Sequence, residues 1–141
     1  MNLHAEAQLN IKFYEFAKLM NIYLNHFPKS EKFGLAQFIR EAAYELYALI
    51  IECQKRYHKR TTLTALDVKH EQLRMLISLA NELGYFSFSA GALDETRTGV
   101  APGVRRYLAL SKLVDELGRM IGGWIKSEKT ELQATATREA S

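Results

Sequence analysis

The chain has 141 residues and a mass of 16.1 kDa, the size of one domain. Its composition, 48% hydrophobic and 25% charged, excludes a disordered chain, a collagen-like repeat and a coiled-coil rod. A net charge of +3 permits a polyanionic or acidic partner without demanding one.

Apolar residues recur at the helical period almost throughout. Leu9, Phe13, Phe16, Met20, Leu24 and Phe27 share one stripe, with Asn10, Lys18, Asn21 and Asn25 opposite, which predicts a first helix over 6–26. Pro28 ends it. Ser30 is the expected N-cap of a second helix over 31–58, with Glu31 in its first turn. Its stripe is Leu35, Phe38, Ile39, Ala42, Leu46, Leu49 and Cys53. Ala36, Ala43, Tyr47, Ile50 and Tyr57 widen that stripe, and Tyr44 and Ile51 lie beyond it. So wide an apolar arc predicts a central helix or one that carries a subunit interface.

His58–Thr62 reads as a polar turn. Thr64 is the expected cap of a third helix over 65–87, with Asp67 completing a capping box. Leu66, Leu73, Leu76, Ile77, Leu79, Ala80, Leu83 and Phe86 form its apolar face, and Asp67, His70, Glu71, Arg74, Ser78 and Asn81 its polar face. Residues 88–102 hold Gly91, Gly99 and Pro102 and read as a long loop. The fourth helix is expected over 103–127, with Tyr107, Leu110, Leu113, Val114, Leu117, Met120, Ile121 and Trp124 inward. Gly118 and Gly122 share a face of it, which predicts a close helix–helix approach there. Residues 128–141 are polar, lack periodicity and read as a disordered tail. The expected fold is all-α: an up-down-up-down four-helix bundle over residues 1–127.

The charge is uneven. Residues 53–81 carry six basic and two acidic groups, a net +4, and residues 104–127 carry five and two, a net +3. Lys55, Arg56, Lys59 and Arg60 crowd the turn between the second and third helices. Arg105, Lys112, Arg119 and Lys126 repeat every seven residues and form one stripe along the fourth helix, running toward that turn. These eight residues are the candidate nucleic-acid surface. A solvated helix face favoured by the macrodipole and by i,i+4 pairing is the plainer account of the same charges.

Signals for chemistry are weak. One cysteine, Cys53, makes neither an internal disulfide nor a Cys–Cys zinc site, and it sits on an apolar stripe, as a packed thiol does. Asp67-Val68-Lys69-His70 occurs once, where a di-iron bundle needs two such motifs. No phosphate loop and no nucleophile elbow is found. A non-enzyme without metal or cofactor is expected. The first residues show no signal-peptide pattern, and the longest apolar run, 46–51, is six residues against about 20 for a membrane span. A cytoplasmic protein without a membrane partner is expected.

The stretch Phe27-Pro28-Lys29-Ser30-Glu31-Lys32-Phe33-Gly34-Leu35, followed by Ile39-Arg40-Glu41-Ala42-Ala43, resembles the four-helix-bundle family encoded in 23S ribosomal RNA intervening sequences. Leu117-Gly118-Arg119-Met120-Ile121-Gly122-Gly123-Trp124-Ile125-Lys126-Ser127 is similar to one branch, the Avd accessory variability proteins of diversity-generating retroelements. Leu73-Arg74-Met75-Leu76-Ile77-Ser78-Leu79-Ala80 matches the third helix of that branch. The resemblance covers residues 10–127. It implies a homopentameric barrel of bundles with no catalytic activity. It also implies binding to a retroelement reverse transcriptase and its template RNA in support of mutagenic cDNA synthesis. Arg74 matches an arginine associated with reverse-transcriptase binding; the plain alternative is an exposed arginine paired with Glu71 or Glu82. Two rivals are a ribosomal-RNA-associated or structural bundle without that partner, and a small helical RNase. The RNase lacks support because no histidine follows an arginine at the spacing such enzymes use.

Overall fold

The computed structural model describes residues 2–55, 60–89 and 99–140. Among these it has four α-helices and no strand: α1 (Leu3–Leu24), α2 (Leu35–Lys55), α3 (Arg60–Glu82) and α4 (Pro102–Ala140). Each helix packs against its sequence neighbours, and α4 closes the bundle on α1. The pairing order shows the alternating directions. Phe13 stacks on Tyr47 while Asn21, further along α1, meets Arg40, earlier in α2. Lys69 reaches Glu45 at 2.7 Å, and His70 reaches Val114.

The core is the set of inward stripes. Leu9, Phe16, Met20, Ile39, Leu46, Ile50, Leu66, Leu73, Leu110 and Leu117 are wholly buried, as are Trp124 and Cys53. Each such side chain contributes about 1.5–3 kcal/mol of burial free energy.

The helix boundaries depart from the sequence expectation for local chemical reasons. α1 starts at Leu3 because the Asn2 side chain accepts the Ala5 N–H at 2.8 Å. Ser30 does not cap α2. Residues Lys29–Glu31 form a short 3-10 turn after Pro28, and the Glu31 carboxylate reaches forward to accept the Leu35 N–H at 2.8 Å. Its other oxygen accepts the Tyr85 hydroxyl at 3.1 Å, tying the α1–α2 corner to the segment after α3. A side chain on Gly34 would lie 2.5 Å from that capping oxygen, so the glycine makes room for the cap.

Thr64 does not cap α3. It lies inside a helix that begins at Arg60, and its hydroxyl donates to the Arg60 carbonyl at 3.1 Å. The expected turn over 58–62 is therefore helical from Arg60 on, and residues 58 and 59 lie outside the described residues. α3 stops at Glu82, five residues early. Gly84 takes φ of +79°, and the Tyr85 N–H returns to the Ala80 carbonyl, the hydrogen-bond pattern of a Schellman cap. Phe86 is still buried, carried there by the turn, edge-on to Phe27 at 5.3 Å between ring centres.

α4 continues to Ala140, where the sequence reads as a disordered tail. Residues 124–140 contain no glycine or proline and are rich in Ala, Glu and Lys, all good helix formers. The Thr130 and Thr137 hydroxyls donate back to the Lys126 and Gln133 carbonyls.

Some inward assignments change. Phe38 stands on the predicted core stripe of α2 but is 60% exposed, and Leu79 of α3 and Leu83 just past its end are about half exposed. Conversely His70, predicted on a polar face, is buried. Its ring lies against Gly118 of α4, where an added Cβ would come within 2.6 Å of His70 Cε1, and its Nε2 bonds the Val114 carbonyl at 2.8 Å. Gly118 is thus the close-approach point the sequence predicts. Gly122 has nothing within 4 Å, so the second half of that expectation fails within one chain.

Candidate partner-binding surface

The basic residues are set by the helix ends. Lys55 is the last residue of α2 and Arg60 the first of α3, and both are exposed. Arg56 and Lys59 lie between them, outside the described residues. Arg60 lines a groove with Ile125, Glu128 and Lys129 of α4, next to the exposed Lys126. The antiparallel packing therefore brings the exposed ends Lys55, Arg60 and Lys126 to one end of the molecule.

The stripe on α4 is less uniform than its spacing implies. Lys112, Arg119 and Lys126 are exposed, whereas Arg105 is half-buried. Glu116 sits within the stripe and receives Lys12 Nζ of α1 at 2.8 Å. That hydrogen bond, opposed by burial and helped by the charges of Lys12, Lys112 and Arg119, holds the Glu116 pKa below its ordinary value. The exposed Lys55, Arg60 and Lys126 stand at the α2–α3 end, in the neighbourhood of Asp67 and Glu128.

Arg74 lies two turns beyond Asp67 on the exposed side of α3. Its Nε donates to Glu71 Oε2 at 2.9 Å and its Nη2 to Glu71 Oε1, a forked pair. The hydrogen bond to Arg74 lowers the Glu71 pKa, and the same bond raises that of Arg74. Nη2 also lies 3.5 Å from the sulfur of Met75, and Asp115 and Tyr107 of α4 act on the charge from across the helix pair. Met75 is 54% exposed, and Leu79 of α3 and Leu83 just past its end follow it. The sequence reading missed this apolar strip because it placed Leu79 and Leu83 in the core. An exposed guanidinium bordered by Met and Leu has the composition of a protein–protein contact.

Among the described residues no group of three or more His, Cys, Asp or Glu could hold a metal ion. No described helix is long and apolar enough to cross a membrane.

Comparison with known proteins gives one match to a family model, described as bAvd-like, over residues 8–128. No curated protein and no solved structure matches the chain. The matched region runs from the second turn of α1 through the α4 glycines to the top of its extension, and so includes the whole bundle. The chain belongs to the bAvd-like family.

Proposed function

We propose that the protein is a non-enzymatic accessory subunit of a diversity-generating retroelement. It assembles as a homopentameric ring of bundles and binds the reverse transcriptase and its template RNA. The observation that carries this reading is family membership over residues 8–128. Two features of the surface support it. Lys55, Arg60 and Lys126 gather at one end, as a phosphate-backbone contact requires, and Arg74 borders exposed Met75 and Leu79, as a protein contact requires. The exposed Phe38, Tyr44 and Ile51 on α2 are apolar surface left for neighbouring subunits.

The division of labour between the two surfaces is testable. Structured template RNA should bind with an affinity that falls steeply with salt, because each neutralised phosphate releases counterions. Reversing Lys55, Arg60 and Lys126 to glutamate should weaken binding across all RNA sequences and flatten the log–log salt slope by about 3. Reversing Lys112 and Arg119 should do less, since Glu116 and Asp115 stand four residues from them on the same helix. Filter binding across a salt series reads both. Salt-independent binding, or an unchanged slope in the triple variant, counts against the basic end as the RNA contact.

A further inference from the structure

α4 is far longer than the bundle needs. From Lys129 to Ala140 every residue is exposed, and these 12 residues span about 18 Å, the first of them running beside the start of α3. A lone helix of this length is marginal in water, so it gains by covering its apolar side. That side is defined. Ile125, Leu132 and Glu139 recur every seven residues, interleaved with Lys129 and Ala136, which is the a/d spacing of a coiled-coil seam. Leu132 is 53% exposed on this seam. The seam faces the side of α4 on which α3 packs lower down. There Ile125, Lys129, Leu132 and Ala136 form one wall of a groove of about 610 Å³, and Arg60 and Leu63 of α3 form the other.

The charge pattern of the seam is self-complementary when reversed. If a second extension lies antiparallel on the first, Leu132 of each copy faces Ala136 of the other. Lys129 of each copy then faces Glu139 of the other. A parallel arrangement would instead stack Lys129 on Lys129 and Glu139 on Glu139, which repels. The same antiparallel placement brings Glu139 of the second copy beside Lys129, in a groove that also holds Arg60, Asp67 and Glu128.

We propose that residues 128–140 of α4 are a self-docking helix that joins two copies of this chain through an antiparallel seam. The occupant of the groove beside α3 is the α4 extension of the second copy. The contact is small. It therefore gains most where several extensions engage at once between two rings, as linked sites do. The contact does not depend on the ring: it doubles the mass of whatever unit the bundles form.

Sedimentation velocity of the full chain at high micromolar concentration tests it. Wild type should have twice the mass of Lys129→Glu, in which glutamate faces Glu139 of the partner, and twice that of Leu132→Glu. The double swap Lys129→Glu with Glu139→Lys restores the opposite-charge layer and should restore the doubled mass. Equal masses for wild type, Lys129→Glu and Leu132→Glu overturn the proposal. So does a double swap that stays at the single-variant mass. The ratio between wild type and variant reads the docking, and the absolute mass of the variant reads the ring, so failure of either is seen separately.

Discussion

Replacing Arg106 with alanine is expected to destabilise the bundle by about 3 kcal/mol or more, read as a drop in the urea or thermal midpoint. Arg106 is 2% exposed, at the start of α4. Its Nη1 donates to the Phe86 carbonyl at 2.7 Å and to the Phe88 carbonyl at 2.6 Å. Its guanidinium lies 3.8 Å from the centre of the Phe88 ring, which itself stacks on His26. Burial pushes the Arg106 pKa down, with Tyr23 opposing. Alanine would strand the buried Phe86 carbonyl at a cost of about 1–3 kcal/mol, take this donor from the part-buried Phe88 carbonyl, and remove the cation over the ring. Lysine should recover only part of the loss, because its ammonium is on a shorter arm and lacks the flat guanidinium that lies over the Phe88 ring. An alanine variant with an unchanged midpoint would show that Phe86–Phe88 is held by something else.

The second large effect is expected at Gly118. Leucine there would drive into the His70 ring, where even a Cβ falls 2.6 Å from Cε1 and 2.9 Å from Nε2. The ring cannot retreat without giving up its bond to the Val114 carbonyl. A loss of about 3 kcal/mol is expected from overpacking a tight helix crossing. Gly122→Ala, four residues on, should raise the stability of the single bundle by up to about 1 kcal/mol, since its Cβ meets nothing and helix propensity improves. Combining Gly118→Leu with His70→Ala should recover much of the loss, because leucine then fills the space the imidazole leaves. Independent, additive losses from Gly118→Leu and His70→Ala would mean the two residues do not share that space.

The sequence made the helices legible wherever a long apolar stripe faced the core, as in Leu9 to Leu24 or Leu110 to Trp124. It misplaced ends where a side chain or a turn sets the boundary across several residues. Ser30 has the chemistry of a cap, but Glu31 reaches the Leu35 amide because the 3-10 turn after Pro28 leaves its carboxylate nearby. Gly84 ends α3 through a positive φ that composition alone does not reveal amid apolar neighbours. His70 reads as a surface residue, and the sequence places Arg106 on no core stripe, because burying such groups is favourable only beside a specific partner. Those partners are a glycine on the facing helix for His70 and two free carbonyls after α3 for Arg106. The basic end was legible as a cluster, since helix termini bring Lys55, Arg60 and Lys126 together in any up-down bundle. The ion pair of Glu116 with Lys12 was not, because Lys12 arrives from a helix about a hundred residues earlier in the chain.

Arg74 is where the proposed function meets the fold most directly. Glu71 holds the guanidinium extended on an otherwise apolar border, so little ordering is left to do when a partner carboxylate replaces or joins Glu71. Substitution at this exposed site should leave the bundle intact. The decisive measurement is capture of the retroelement reverse transcriptase by the purified protein, comparing wild type with Arg74→Glu at matched circular dichroism and matched sedimentation mass. The account predicts that wild type retains the reverse transcriptase and that Arg74→Glu releases it without loss of helix or assembly. Equal capture by both proteins, or none by wild type, would contradict it.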